Sequence, residues 1–296
     1  MYNNNYIKMN PMNRISEQSL NHYKANGSFK GKNVIVTGAT GGIGSILVQT
    51  LCELGANVVI IARNEKKVLT LFQHLIDTKS LQYKIIDLSG IIVSKDFEEV
   101  MLMLNGKLDM LLMCHGQFFL GDISEATFKE FDEATAINTR SMLALLSLST
   151  EFLKRSKGCV VAISSLESYI PVSGSFLNSI SKSMVNSLIE NAALELASFG
   201  VRVNGVAPGI TYTSFRVGIN DDFQESTNQT YMQNMGKANL LNNEVIKPED
   251  VVESILFLAS DDASFITGEI IKIDNGYSLN HDMNFTEFET GVTAGQ

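Results

Sequence analysis

Short apolar runs alternate with longer stretches of helical periodicity from Lys30 to Asp274, and that alternation constrains the fold of this chain more than any other feature. The pattern predicts strands over 33–37, 57–62, 81–86, 108–114, 158–164, 201–206 and 269–274, and helices over 42–54, 64–77, 174–198 and 248–260. Leu108 to Cys114 is almost unbroken in apolar residues, as a strand covered on both faces requires. Strand and helix alternating at this spacing imply a parallel sheet with right-handed crossovers. No repeat or long linker interrupts the pattern. The expectation is one α/β domain over 30–276, a single doubly wound parallel sheet with helices on both faces.

Outside that span lie a polar, asparagine-rich stretch, 1–29, and a tail, 277–296. The first 29 residues lack the apolar core of a signal peptide and contain one acid, Glu17. They read as a disordered or partner-binding extension. No apolar run reaches the roughly 18 residues that span a bilayer. The expected compartment is the cytoplasm, with the mitochondrial matrix as the alternative. With 296 residues, 45% of them hydrophobic, the chain can bury a sizeable core. Its net charge of -9 argues against nucleic acid or an anionic membrane as the main partner. Cys52, Cys114 and Cys159 are odd in number and lack ligand-like spacing, so they read as free, buried thiols in a reducing compartment. No ligand cluster of the kind zinc needs is visible, and no metal is expected.

Directly after the first strand comes Thr37-Gly38-Ala39-Thr40-Gly41-Gly42-Ile43-Gly44. Glycines at a strand-to-helix turn let the backbone bend tightly and approach a pyrophosphate, whose charge then sits at the helix N-terminus. Glycine-rich turns also serve packing alone, but the place between strand and helix favours a dinucleotide. At the end of the second strand, Ala62 cannot hold ribose hydroxyls as an acid would. Arg63 follows and can pair with a 2′-phosphate, so NADP(H) is favoured over NAD(H). The plainer reading of Arg63 is an exposed arginine at a helix start. Asp87, after the third strand, reads equally as a turn cap.

Further motifs follow in order: Asn138 in Ile137-Asn138-Thr139, Ser164-Ser165, Lys182, the run Arg202 to Gly209, Thr213, Phe257 to Asp261 and Phe265 to Gly268. Together with the glycine run they resemble the short-chain dehydrogenase/reductase family over about 30–276. The resemblance implies a Rossmann-type fold and metal-free chemistry on a carbonyl/alcohol pair. It implies cofactor contacts at Thr37, Gly38, Thr40, Gly42, Ile43, Gly44, Arg63, Asp87 (to the adenine), Lys182, Pro208, Gly209 and Thr213. It gives Ser165 the role of positioning the carbonyl, Lys182 that of binding the nicotinamide ribose, and Asn138 that of holding a water linked to the lysine. By the same resemblance, 214–247 forms a substrate lid. Phe215, Phe223, Tyr231, Met232 and Met235 there either make an apolar pocket or pack the lid down.

One residue does not fit. The family's proton donor is a tyrosine four residues before the lysine and thirteen after the serine, and both counts fall on Asn178. A carboxamide has no proton to give near neutral pH. Activity is therefore expected to be impaired. The alternative is a catalytically inactive subunit with a structural or regulatory role, contacting partners through its tails, where Met283, Phe285 and Phe288 lie. Tyr169 is the best substitute proton donor in the sequence, though such a tyrosine more often walls a pocket. His115, in Met113-Cys114-His115-Gly116, is a weaker candidate that more simply fills local space. Homo-oligomers through 139–155 and 174–198 are expected by analogy.

Overall fold

The structure, a computed structural model, describes residues 14–92, 94–213 and 236–280. Its elements run α1 (Glu17–Asn26), β1 (Asn33–Thr37), α2 (Gly42–Glu53), β2 (Asn57–Ala62), α3 (Glu65–Asp77), β3 (Leu81–Ile85), α4 (Ser94–Met103), β4 (Met110–Met113), α5 (Phe128–Thr135), α6 (Ser141–Ser156), β5 (Cys159–Ile163), α7 (Phe176–Leu196), β6 (Arg202–Pro208), α8 (Pro248–Ala259) and β7 (Ile270–Ile273). A π-helical turn, Ala136–Arg140, joins α5 to α6. The strands form one seven-stranded sheet in the order β3-β2-β1-β4-β5-β6-β7, and every pairing is parallel. Chain order reverses between β1 and β4, the point where open α/β sheets bind ligands beyond their strand ends.

Two-residue alternation in the strands divides the core. Val34, Val36, Val58 and Ile60 face one side, where α2 and α8 cover them with Leu47, Leu51, Val252 and Leu256. Ile35, Val59 and Ile61 face the other, against Met142 and Leu145 of α6 and Val185 and Ile189 of α7. Both faces of the central strands are thus covered, which is why β1, β2, β4 and β5 read as apolar runs rather than alternating ones, while the edge strands β3 and β7 keep exposed positions.

The expected strands and helices are all present, with ends moved by a residue or two. Part of the stretch 1–29, expected as a polar extension, is instead built into the body. Ser16 caps α1 by accepting from the Ser19 amide, and Gly27 ends it in the left-handed conformation, φ 69°. Ile15, Leu20, Tyr23 and Phe29 are buried in the core, with the Tyr23 and Phe29 rings edge-on at 5.2 Å. Polar contacts from Ser16 N to Glu253 Oε1 and from His22 Nε2 to Asp262 Oδ2, both 2.8 Å, fix α1 beside α8. The cysteines are free, but only Cys159 is fully buried; Cys52 and Cys114 are half-buried. The expectations for 1–13, for 214–235 with its five lid side chains, and for Met283, Phe285 and Phe288 lie outside the described residues. Among the described residues no helix is long and apolar enough to cross a membrane.

Candidate functional site

A cleft opens at the C-terminal ends of β1, β4, β5 and β6. Its walls include Gly38, Gly41, Gly42, Ile43 and Gly44 from the glycine turn, Ser165, Asn178 and Lys182, and Pro208, Gly209 and Thr213 after β6. The glycine turn needs its glycines. Gly38 has φ +67°, and a Cβ there would lie 2.4 Å from the Cys114 carbonyl carbon. A Cβ on Gly44 would lie 2.3 Å from the Gly38 carbonyl oxygen, and one on Gly42 2.9 Å from the Thr213 methyl. Side chains are therefore excluded where β1 passes β4 and where the turn after β6 closes on α2. Gly41 starts α2 without a side-chain cap, so among the described residues no side chain caps the first amides of this helix, which border the cleft. Such a helix start can hold an anion.

Not every expected cofactor residue lines this cleft. Thr37 is wholly buried. Thr40 is half-buried in the turn, and Arg63 and Asp87 are exposed beyond β2 and β3. Asp87 Oδ1 accepts from the backbone and hydroxyl of Ser89 at 2.9 and 2.7 Å, a turn cap. Those bonds first, and then the positive charge of Arg63, hold its carboxyl below the ordinary carboxylate range.

Helix α7 presents Asn178 and Lys182 one turn apart on the same face. Lys182 is 3% exposed, and its Nζ donates to the Ile163 carbonyl oxygen at 2.9 Å. Burial pushes its pKa down to about 8, opposed by the nearby Glu167 carboxylate and by Cys114. Asn138 sits in the π-helical turn, a distortion frequent at functional sites. Its carboxamide does not line the cleft. Oδ1 accepts from Gln117 N at 2.8 Å, and Nδ2 donates to Gln117 O at 2.9 Å and Ser181 Oγ at 3.0 Å. Ser181 Oγ in turn donates to the Asn178 carbonyl oxygen at 3.0 Å. Asn138 thereby sets the height of α7 at Asn178.

Ser165 lies on the cleft wall, and its Oγ accepts from Glu167 N at 3.2 Å, starting a 3-10 turn over Leu166–Ser168. Its neighbour Ser164 is occupied inside, donating to Asn186 Oδ1. That turn carries a side chain that sequence reasoning missed. Glu167 is 6% exposed, borders the cleft and accepts from Asn178 Nδ2. The other amide atom, Asn178 Oδ1, is buried with no hydrogen-bond partner among the described residues. The only hint of Glu167 in the sequence is a lone acid in the otherwise uncharged stretch 158–181.

His115 is buried between β1 and α6. The Ser141 hydroxyl donates to Ile137 O at 2.7 Å, so His115 Nε2–H donates to Ser141 Oγ at 2.7 Å and Nδ1 accepts from Thr37 Oγ1 at 2.6 Å. Burial, followed by the charge on Lys182, pushes its pKa down to about 3. Near neutral pH it is a neutral structural bridge whose one ring proton is held by Ser141. Tyr169 is 41% exposed and lies under Lys272 Nζ, 4.8 Å from its ring centroid, away from the cleft wall.

The family model described as enoyl-(acyl carrier protein) reductase matches residues 38–278. A protein of Oryctolagus cuniculus named dehydrogenase/reductase SDR family member 4 is 31% identical over 254 residues, 83% of this chain and 93% of that one. The chain belongs to the short-chain dehydrogenase/reductase family. Another relative, an L-xylulose reductase of Caenorhabditis elegans, is 31% identical over 265 residues, 86% of this chain and 99% of that one. Among solved structures, a short-chain dehydrogenase/reductase of unknown function from Caenorhabditis elegans, with cofactor, superposes at a TM-score of 0.78 with 25% identity, covering 88% of this chain and 98% of that one.

Proposed function

We propose that this family member binds a nicotinamide dinucleotide, NADP(H) in preference to NAD(H), and acts on a carbonyl/alcohol pair, with turnover lowered because Asn178 stands where the family has its tyrosine. The observation that carries the reading is the meeting of Lys182 and Ser165 with the glycine turn in one cleft. The residues fit the cofactor: a turn where a Cβ would clash and an uncapped helix start suit a pyrophosphate. Arg63, beyond β2 with no acid before it, suits a 2′-phosphate. Asp87 is assigned to the adenine, Lys182 to the nicotinamide ribose, and Pro208, Gly209 and Thr213 to the carboxamide end. When bound, the nicotinamide exchanges hydride with the carbon of the carbonyl/alcohol pair. Ser165 orients the substrate oxygen, and Asn138 holds α7, and with it Lys182, in place.

The working unit in this reading spans 30–276 with α1 packed onto it, and 214–247 covers the substrate. It is a cytoplasmic protein that forms homo-oligomers. The test is oxidation of NADPH by aldehydes or ketones, abolished in Lys182→Ala. Unchanged turnover in that variant counts against the reading.

Asn178 itself favours a second reading, an inactive subunit kept for its shape in a larger assembly. That reading expects stable co-purification with partner proteins that is lost when a tail, within 1–29 or 277–296, is deleted. A tailless form that still co-purifies would sink it.

A further inference from the structure

We propose that Glu167 is the proton donor and acceptor of this site, replacing the tyrosine that Asn178 displaces. The proposal rests on the nucleotide-dependent reading above and assigns to this chain a catalytic residue two positions after Ser165.

Position argues first. Glu167 borders the nucleotide cleft and also a second, smaller cavity lined by Leu166, Ile170, Val172, Ile210 and Tyr277. Ser165, Pro208 and Gly209 are shared by the same two spaces. A substrate lying in the smaller, mostly apolar cavity would bring its oxygen to this common wall, which Glu167 and Ser165 both line. Acid-base chemistry needs the group within hydrogen-bond reach of the reacting oxygen before anything else.

The partner argues second. Carboxylates are seldom this deeply buried without compensation. Here compensation comes from the Asn178 amide, which donates to Oε2, and from the Lys182 ammonium nearby. An amide can serve both protonation states of a carboxyl: it donates to the carboxylate and, turned over, accepts from the acid. Asn178 Oδ1, buried and without a hydrogen-bond partner among the described residues, is the acceptor that the second state requires. Asparagine is thus a fit partner for a carboxyl that must gain and lose a proton.

In the reducing direction, the O–H bond of the Glu167 acid breaks and a new O–H bond forms on the carbonyl oxygen. The carbonyl carbon receives hydride, with its two electrons, from a reduced nicotinamide dinucleotide. Glu167 is left as carboxylate and is reprotonated from water in the cleft. In the oxidising direction the carboxylate takes the alcohol proton.

The test compares the full-length protein with Glu167→Gln, which keeps shape and hydrogen bonding but cannot transfer the proton. NADPH binding is read by calorimetry, and turnover with NADPH and a panel of alkyl and aryl aldehydes, ketones and diketones. The expected result is unchanged NADPH affinity, turnover lowered at least about 100-fold, and recovery of turnover when Asn178→Tyr is added to Glu167→Gln. Turnover unchanged by Glu167→Gln would overturn the proposal. So would wild-type protein that binds NADPH yet reduces no member of the panel, although nucleotide binding would then stand. Failure to bind either NADPH or NADH would remove the functional reading itself. Should Glu167→Gln not fold, Glu167→Asp decides, since it keeps a carboxyl but withdraws it from the wall. Turnover lowered at least about tenfold with NADPH affinity retained supports the assignment, and unchanged turnover overturns it.

Discussion

Lys182 Nζ donates to the carbonyl oxygen of Ile163, the last residue of β5, across 2.9 Å. One hydrogen bond therefore fixes the ammonium at the floor of the cleft and ties α7 to the sheet. Replacing Lys182 with Met keeps most of the volume and removes the charge. Nucleotide affinity is expected to fall about tenfold or more, the worth of one charge-assisted hydrogen bond.

The same residue gives a pH signature. Its pKa is pushed down to about 8 from an ordinary 10.5, so the positive charge is lost as pH rises through about 8. Nucleotide affinity in calorimetric titrations from pH 6.5 to 9.5 is expected to decline through that value in the wild type and to stay flat in Lys182→Met. Stability moves oppositely. Between about 8 and 10.5 the unfolded chain holds the extra proton, so the cost of burying this charge is relieved as pH rises.

His115 sets an acid limit. The neutral ring bridges Thr37 and Ser141 and its pKa is pushed down to about 3 from 6.5. Between those values the unfolded chain takes up a proton that the folded one refuses. The contribution of His115 is present above pH 6.5 and is lost as pH falls, at up to about 1.4 kcal/mol per pH unit. Urea melts from pH 7 to 4 are expected to show a steeper loss in wild type than in His115→Gln. Equal slopes would contradict the bridge.

Gly38→Ala and Gly42→Ala are expected to differ. At Gly38 a Cβ meets the Cys114 backbone at 2.4 Å with φ at +67°. Backbone must move, and a loss of more than about 2 kcal/mol in thermal or urea melts is expected. At Gly42 the Cβ meets the Thr213 side chain, its methyl at 2.9 Å and its Cβ at 3.1 Å, with the Thr213 Cα at 3.6 Å. The turn after β6 must shift there, so that variant is expected to lose less stability than Gly38→Ala and to weaken nucleotide binding.

Tyr23→Ala measures whether α1 belongs to the cooperative unit. The ring is 7% exposed and packs on Phe29. A loss of about 2–4 kcal/mol is expected for truncating a buried aromatic. A change near zero would mean that α1 frays independently.

These cases also show what was legible in the sequence. Strands such as Asn57–Ala62 and helices such as Glu65–Asp77 could be read because burial imposes a period of two or an apolar run on one and 3.6 on the other. The cleft was legible where backbone geometry demands glycine, at Gly38 and Gly44, and where Lys182 keeps its spacing from Ser165. α1 was not read because only Leu20 and Tyr23 of its ten residues are buried, and the asparagines before it dominate the composition. Its bracket of Ser16 as cap and Gly27 as stop was the signal passed over. Glu167 lies in a three-residue 3-10 turn, too short for any period, and meets Asn178 eleven residues on because α7 folds back against that turn. For Thr37 and Asn138 the motifs mark position but not direction: both side chains turn inward to hold other groups.

The central claim is that the cleft at the ends of β1, β4, β5 and β6 is a nucleotide site. Calorimetric titration of the purified full-length protein, first with NADPH and then with NADH, tests it most directly. Saturable binding of one molecule per chain, tighter for NADPH than for NADH, is the expected result. No heat of binding from either nucleotide would contradict the claim.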